Sequence, residues 1–267
     1  MLRLNIDASG VEVISIVGRG RIVVWEGASL WMLEGAQAEV ELQPHAHHAI
    51  QITFRLNGTF EIGVASECLT GPVAAVGSDA HHIFRASGAV AFLFIAPESS
   101  VGRALGTALF TDQPWAHVTS GPLAASLEDL RQCFHSGYAE SEMRQLGRKL
   151  VETLPSADGP AMADTRVLAM IDFARRNLWD TVTLPAAAEF VNLSHSRARH
   201  LFVAHTRLPF KTYVLWLRLE RAVALYAEGS SLTEAAHQAG FADSAHFSRT
   251  FRRTFGLPAA TLHLSHD

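Results

Sequence analysis

Residues 231–259 read SLTEAAHQAGFADSAHFSRTFRRTFGLPA. Phe247, Phe251 and Phe255 recur every four residues, a spacing that stacks them on one face of a helix, and Phe241 precedes them across a short turn. The alanine-rich run before the turn predicts a closely packed first helix. Ser244 reads as a cap for the second, which leaves Ser244, Ala245, His246 and Arg249 on its outer face near the start. A small first helix, a tight turn and a second helix with polar and basic residues at its beginning are the ingredients of a helix-turn-helix. The second helix of such a unit fits the major groove, where base edges are distinguishable.

The pattern occurs twice. TLPAAAEFVNLSHSRARHLFVAHTRLPF, residues 183–210, has the same alanine-rich helix, a turn, a cap-like Ser194 and a second helix. Leu201 and Phe202 take its inner face, leaving Ser196, Arg199 and His200 outward, and both units end in Leu-Pro. The units span about 184–205 and 232–255, joined by a long helix over Phe210–Glu228. Arg197, Arg252 and Arg253 are available for phosphates.

The segments SRARHLFVAHTRLPFKTYVLWLRLERAVALY and EAAHQAGFADSAHFSRTFRRTFGLPAATLH resemble the DNA-binding domain of the AraC/XylS family of bacterial transcription regulators, over roughly residues 164–265. The resemblance implies seven helices whose two units enter successive major grooves. It implies base reading by Ser196, Arg199 and His200 in the first unit and by Ser244, Ala245, His246 and Arg249 in the second. Ser196 and Ala245 are small, so water, thymine-methyl contact or DNA shape would carry discrimination there. Promoter DNA, RNA polymerase and a second copy of the chain are the partners that follow.

Upstream the periodicity changes. Nine short extended runs separated by turn residues lie between Val11 and Pro97: VEVISIVG, RIVVWEG, SLWMLEG, AEVELQP, AIQITFRLNG, TFEIGVA, PVAAVGSD, HHIFRASG and AVAFLFIAP. Such spacing predicts an antiparallel barrel or sandwich. The Asn57-Gly58 pair predicts a hairpin joining QITF to TFEI. After Pro97, residues 100–110, 123–134 and 141–154 have helical spacing. Leu123, Leu127, Leu130 and Phe134 form a stripe fit either for a dimer contact or for packing on the chain's own sheet. PSADGPAMAD, 155–164, reads as a linker. The expected architecture is α+β, with an antiparallel β-barrel and packing helices in 1–154 and an all-α domain in 165–267.

PHAHHAIQ, residues 44–51, sets three histidines within four residues. Alternation along a strand turns His45, His47 and Gln51 to one face and His48 to the other, where a surface position is expected. PHAHHAIQITFRLNG also resembles the first cupin motif, with Gln51 where glutamate is usual, and VGSDAHHIFR echoes the second, with His82 at the histidine position and His81 beside it. Imidazoles with an oxygen donor suit a divalent transition metal. A small-molecule effector pocket and histidines of purely structural role remain open on the same residues. Trp25 and Trp31 read as core.

The bulk numbers are those of a globular protein. Of 267 residues 48% are hydrophobic and 18% charged. The two cysteines, Cys68 and Cys133, have no CxxC spacing, which excludes a thiolate zinc site built on that motif. No apolar run approaches the length of a membrane span, and the start has no apolar signal segment, so a cytoplasmic protein is expected. Residues 1–163 carry a net charge of −7 and residues 164–267 a net charge of +3. That imbalance is too small for a non-specific DNA coat. A metal-dependent cupin enzyme is the alternative; Gln51, the degraded second motif and the lack of a Ser-His-Asp, P-loop or dinucleotide fingerprint oppose it.

Overall fold

The run AVAFLFI is apolar at every position, which suits a strand covered on both faces, and all seven of its residues are buried. The computed structural model describes residues 20–35, 40–136, 139–157 and 163–264. The strands are β1 (Gly20–Trp25), β2 (Ala28–Glu34), β3 (Val40–Glu41), β4 (Ile50–Arg55), β5 (Thr59–Val64), β6 (Glu67–Leu69), β7 (Val73–Val76), β8 (His82–Ser87), β9 (Ala89–Ile95) and β10 (Trp115–His117). Two antiparallel sheets result, in the orders β1-β2-β9-β4-β7-β10 and β3-β8-β5-β6. Among the described residues they do not close into a barrel; the N-terminal part is two separate sheets. The expected strand VEVISIVG lies outside the described residues, and β6 and β10 are additions, three residues each.

Alternation divides the six-stranded sheet. Trp31, Val76, Phe92 and Phe94 face Phe60, Ile62 and Phe84 of the four-stranded sheet. Leu30, Ile50, Ile52, Phe54 and Leu93 face outward and are covered by α1 (Ser100–Leu109), α2 (Ala124–Ser136) and α3 (Glu140–Thr153). Leu123, Leu127, Leu130 and Phe134 are buried in this outer layer, so the stripe packs on the chain's own sheet.

The Asn57-Gly58 turn does not make the expected hairpin. β4 pairs with β7 and β9, whereas β5 pairs with β6 and β8, so the turn carries the chain from one sheet to the other. Asn57 Oδ1 accepts from the Ala89 backbone at 2.6 Å. Gly58 sits at φ 66°, where a Cβ would lie 1.9 Å from the Ser87 carbonyl oxygen. The local turn signal is genuine, but the partner of β5 is decided by contacts far away in sequence.

The C-terminal part is helical: α4 (Thr165–Arg176), α5 (Leu184–Phe190), α6 (His195–Thr206), α7 (Phe210–Ala227), α8 (Leu232–Gln238) and α9 (Ser244–Phe255). The run PAATLHL forms only a 3₁₀ turn over Ala259–Thr261. The N-cap of α6 is Ser194, but that of α9 is Asp243, whose carboxylate accepts from the His246 backbone at 2.6 Å, so Ser244 is the first helical residue. Phe202, Tyr213, Phe241, Phe247 and Phe251 fill the core of this part. That core is continuous with the interior between the sheets. Gly20 donates to the His263 carbonyl at 3.0 Å beside a parallel bridge to Leu264. Among the described residues no helix is long and apolar enough to cross a membrane.

Candidate nucleic-acid interface and histidine cavity

The second helix of each helix-turn-helix unit keeps its outer face bare. Ser196, Arg197, Arg199 and His200 of α6 are exposed, as are Ser244, Ala245, Arg249, Arg252 and Arg253 of α9. Among the described residues none of these five arginines is held in an ion pair, so each guanidinium is available to a phosphate or a base edge. His246 differs: it is half-buried and its ring meets the edge of Phe241 at 5.3 Å between centroids. The α6–α7 and α8–α9 turns hold their geometry through residues at positive φ, among them Arg207 at 58° and Gly240 at 85°.

A second cluster forms in the sheet part. Leu42 donates to the Phe84 carbonyl in the β3–β8 register, but His45 pairs with His82 through two backbone hydrogen bonds of 3.0 and 2.9 Å. The register has slipped by one residue, a bulge at Pro44 that sets the two imidazoles opposite each other at 4.2 Å. His47 stands 6.0 Å from His45 and 5.2 Å from His82. All three are buried, and one ring nitrogen from each lies within 4.8 Å of the others. His81 is exposed and takes no part.

The hydrogen bonds fix the chemistry of these rings. Each Nδ1 faces a backbone carbonyl: Gln43 for His45 at 2.7 Å, Ala49 for His47 at 2.9 Å and Ala80 for His82 at 2.9 Å. A carbonyl only accepts, so Nδ1 carries the proton and Nε2 keeps its lone pair. His82 Nε2 is buried with no partner. Burial and the neighbouring rings lower His45 to about 4 and His82 to about 2, and burial lowers His47 as well. Neutral imidazoles with converging ring nitrogens and Nδ1 atoms oriented by carbonyls are the donor set that a divalent transition ion takes. The residues present fit such an ion.

Gln51 completes the cluster. Its amide lies 2.9 Å from His47 Nε2 and 3.0 Å from Thr53 Oγ1. With its NH₂ toward the ring it donates to His47 and accepts from Thr53; with its oxygen there, two acceptors face each other and need a cation between them. His45 and Gln51 also line a narrow apolar cavity of about 50 Å³ between the sheets, together with Trp31, Phe84, Phe94 and two residues of the helical part, Phe255 and Leu257.

His48 is a correction. It does lie on the opposite face, but it is buried rather than on the surface. Its Nε2 is 3.2 Å from Glu98, its Nδ1 is 3.5 Å from Asp79, and its ring meets Tyr213 and Trp216 of α7. Tyr213 donates to the other oxygen of Glu98. Burial disfavours the His48 cation, yet the two carboxylates outweigh it and raise its pKa to about 9. A charged contact therefore clamps α7, the helix between the two units, to the sheets. No local sequence signal marks it, because Glu98 is 50 residues from His48 and 115 from Tyr213. A larger cavity of about 540 Å³ opens nearby, between Trp25, Ala49 and Phe94 of the sheets and Arg175, Trp216 and Glu220 of the helices. Burial pushes the Glu220 carboxyl up to about 7, offset in part by Arg175.

Comparison with known proteins isolates the helical part. The model of a helix-turn-helix domain family matches residues 187–263. The uncharacterised HTH-type transcriptional regulator YpdC of Escherichia coli K12 is 31% identical over 108 residues, 40% of this chain and 38% of that protein. GbdR of Pseudomonas aeruginosa, an HTH-type transcriptional regulator, is 36% identical over 83 residues, 31% of this chain and 23% of its own. The match thus spans well under half of these relatives. In overall fold the chain is similar to ToxT of Vibrio cholerae O395, with a TM-score of 0.55 at 11% identity over 87% of this chain and 95% of that one. Residues 187–263 of the chain thus match a helix-turn-helix domain.

Proposed function

We propose that this protein is a sequence-specific, DNA-binding transcription regulator whose two-sheet part receives an effector. The observation that carries the reading is the doubled helix-turn-helix with arginines on the exposed faces of α6 and α9 that form no ion pair among the described residues. In this reading Ser196, Arg199, His200, Ser244, Ala245 and Arg249 read base edges, His246 supports them from its half-buried position, and Arg197, Arg252 and Arg253 hold phosphates. The helix-turn-helix domain and its named relatives support a regulator rather than an enzyme. Promoter DNA is the target, with RNA polymerase and a second copy of the chain as its working partners.

Two places fit an effector, and size separates them. The histidine cluster takes a divalent transition ion through His45, His47 and His82, with Gln51 as an oxygen donor. An organic effector needs roughly 300 to 1,000 Å³, which the cavity of about 540 Å³ between sheets and helices offers. One ToxT structure is described with an unsaturated fatty acid and another with a naphthalenyl butenoic acid. Arg175 in the wall of this cavity suits a carboxylate of that kind.

Selection of duplexes from a random pool by the full-length protein tests the central part. The expected result is an enriched motif of two half-sites about 10 to 10.5 base pairs apart, one for each unit. A pool that stays random after selection contradicts sequence-specific binding.

A further inference from the structure

The cavity beside the histidine cluster is closed by the end of a recognition helix. Phe255, the last residue of α9, stands 4.9 Å from Trp31, 5.7 Å from Phe94 and 6.2 Å from His47 between ring centroids. Leu257, two residues on, lines the same space. Between them Gly256 accepts from the Gln43 backbone at 3.0 Å. A Cβ at Gly256 would lie 2.7 Å from His45 Nδ1 and 2.6 Å from the Gln43 carbonyl oxygen. The backbone that caps α9 is thus laid directly on the segment that carries His45. Gln43 ties the two together twice, since its N–H donates to Gly256 and its carbonyl accepts from the His45 ring.

This seat links the geometry of the cluster to the cap of α9. A transition ion binds imidazole nitrogen at about 2.0–2.1 Å, which brings three Nε2 atoms to within about 3.5 Å of one another. Here one ligating atom from each ring already lies within 4.8 Å of the others. Any shift of the His45 ring on taking an ion is passed to Gln43 and the Gly256 cap, because both are tied to it. Resting on the reading of the cluster as an effector site, we infer that a divalent transition ion held by His45, His47 and His82 is sensed through Phe255, Gly256 and Leu257, so that the second helix-turn-helix unit is the one whose DNA contact responds. The first unit has no equivalent contact with the cluster. Because coupling of this kind is reciprocal, bound DNA changes the ion's affinity by the same factor as the ion changes the DNA's.

The test uses Co²⁺ alone with the full-length chain and a selected duplex in which either half-site is scrambled in turn. The expected result is a visible absorption band of tetrahedral Co²⁺, lost in His82→Ala. With it comes a shift of about fivefold or more in the affinity contributed by the half-site of α9, with the half-site of α6 unchanged. Phe255→Ala is expected to keep the Co²⁺ band and lose the shift. Leu257→Ala, outside the helix, gives the same readout if Phe255→Ala unfolds the unit. Absence of a Co²⁺ band in the wild type overturns the ion site itself. A normal band with no shift, or with equal shifts at both half-sites, overturns the coupling and leaves the ion site standing.

Discussion

In the first helix-turn-helix unit α6 ends at Arg207, at φ 58° and exposed; in the second α9 ends at Gly256, at φ 75° and buried under Leu42, Gln43 and His45. Both caps are left-handed and both are followed by Leu-Pro, so the two units stop their helices in the same way. A left-handed arginine is strained by roughly 1 to 2 kcal/mol, which an exposed position tolerates. At residue 256 the backbone of another segment lies where a side chain would begin. The residue before the cap differs accordingly: Thr206 turns its hydroxyl back to the Phe202 carbonyl at 2.9 Å, whereas Phe255 enters the sheet cavity. The comparison teaches that one duplicated motif ends in two ways, at an exposed cap beside an open cleft in the first unit and at a buried cap seated in the sheet cavity in the second.

The largest expected effect removes the anchor that both units share. Glu98→Ala leaves the buried His48 cation without its nearer carboxylate and frees Tyr213, and is expected to destabilise the chain by about 3 to 5 kcal/mol in denaturant unfolding. A loss under about 1 kcal/mol means that α7 is not held by this contact. Next comes the contrast of the caps. Gly256→Ala places a methyl group against backbone at an unfavourable φ and is expected to cost about 2 kcal/mol or more. Arg207→Ala, at the matching exposed position, is expected to stay within about 0.5 kcal/mol. Equal losses at the two positions erase the difference between the units.

A smaller effect concerns pH. The folded Glu220 has its pKa raised to about 7, by burial first, with Arg175 opposing. A raised carboxyl binds more protons folded than unfolded, so its contribution to stability declines as pH rises from near 4.5 to near 7 and is constant above. Glu220→Gln is expected to stabilise the chain at pH 8 by about 1 to 2 kcal/mol and to change little at pH 4, read by thermal unfolding. A stabilisation that is the same at both pH values removes Glu220 as the cause.

The recognition helices were readable because their evidence is local and doubled. Phenylalanines every four residues and arginines between them need no distant partner to be interpreted. His45, His47 and Gln51 do converge, but not by strand alternation: His45 is an isolated bridge residue, residues 46–49 lie outside any strand and only Gln51 belongs to β4. His48 sits in a bend outside the strands, and no local pattern marks its burial because the carboxylate and the helix that cover it come from elsewhere in the chain. The Asn57-Gly58 turn shows the same limit: its backbone chemistry announces a reversal, and long-range pairing decides which sheet receives the next strand. The part played by Phe255 was half visible. Its spacing marked it as core, but not as the core of the sheet domain.

Arg249 gives the most direct test of whether this chain reads DNA sequence. Binding of Arg249→Ala is measured on a selected site and on a random duplex at the same salt concentration. The account predicts a loss of about 1 to 3 kcal/mol on the selected site and little change on random DNA. An equal loss on both would contradict base reading by the second unit and reduce Arg249 to a phosphate contact.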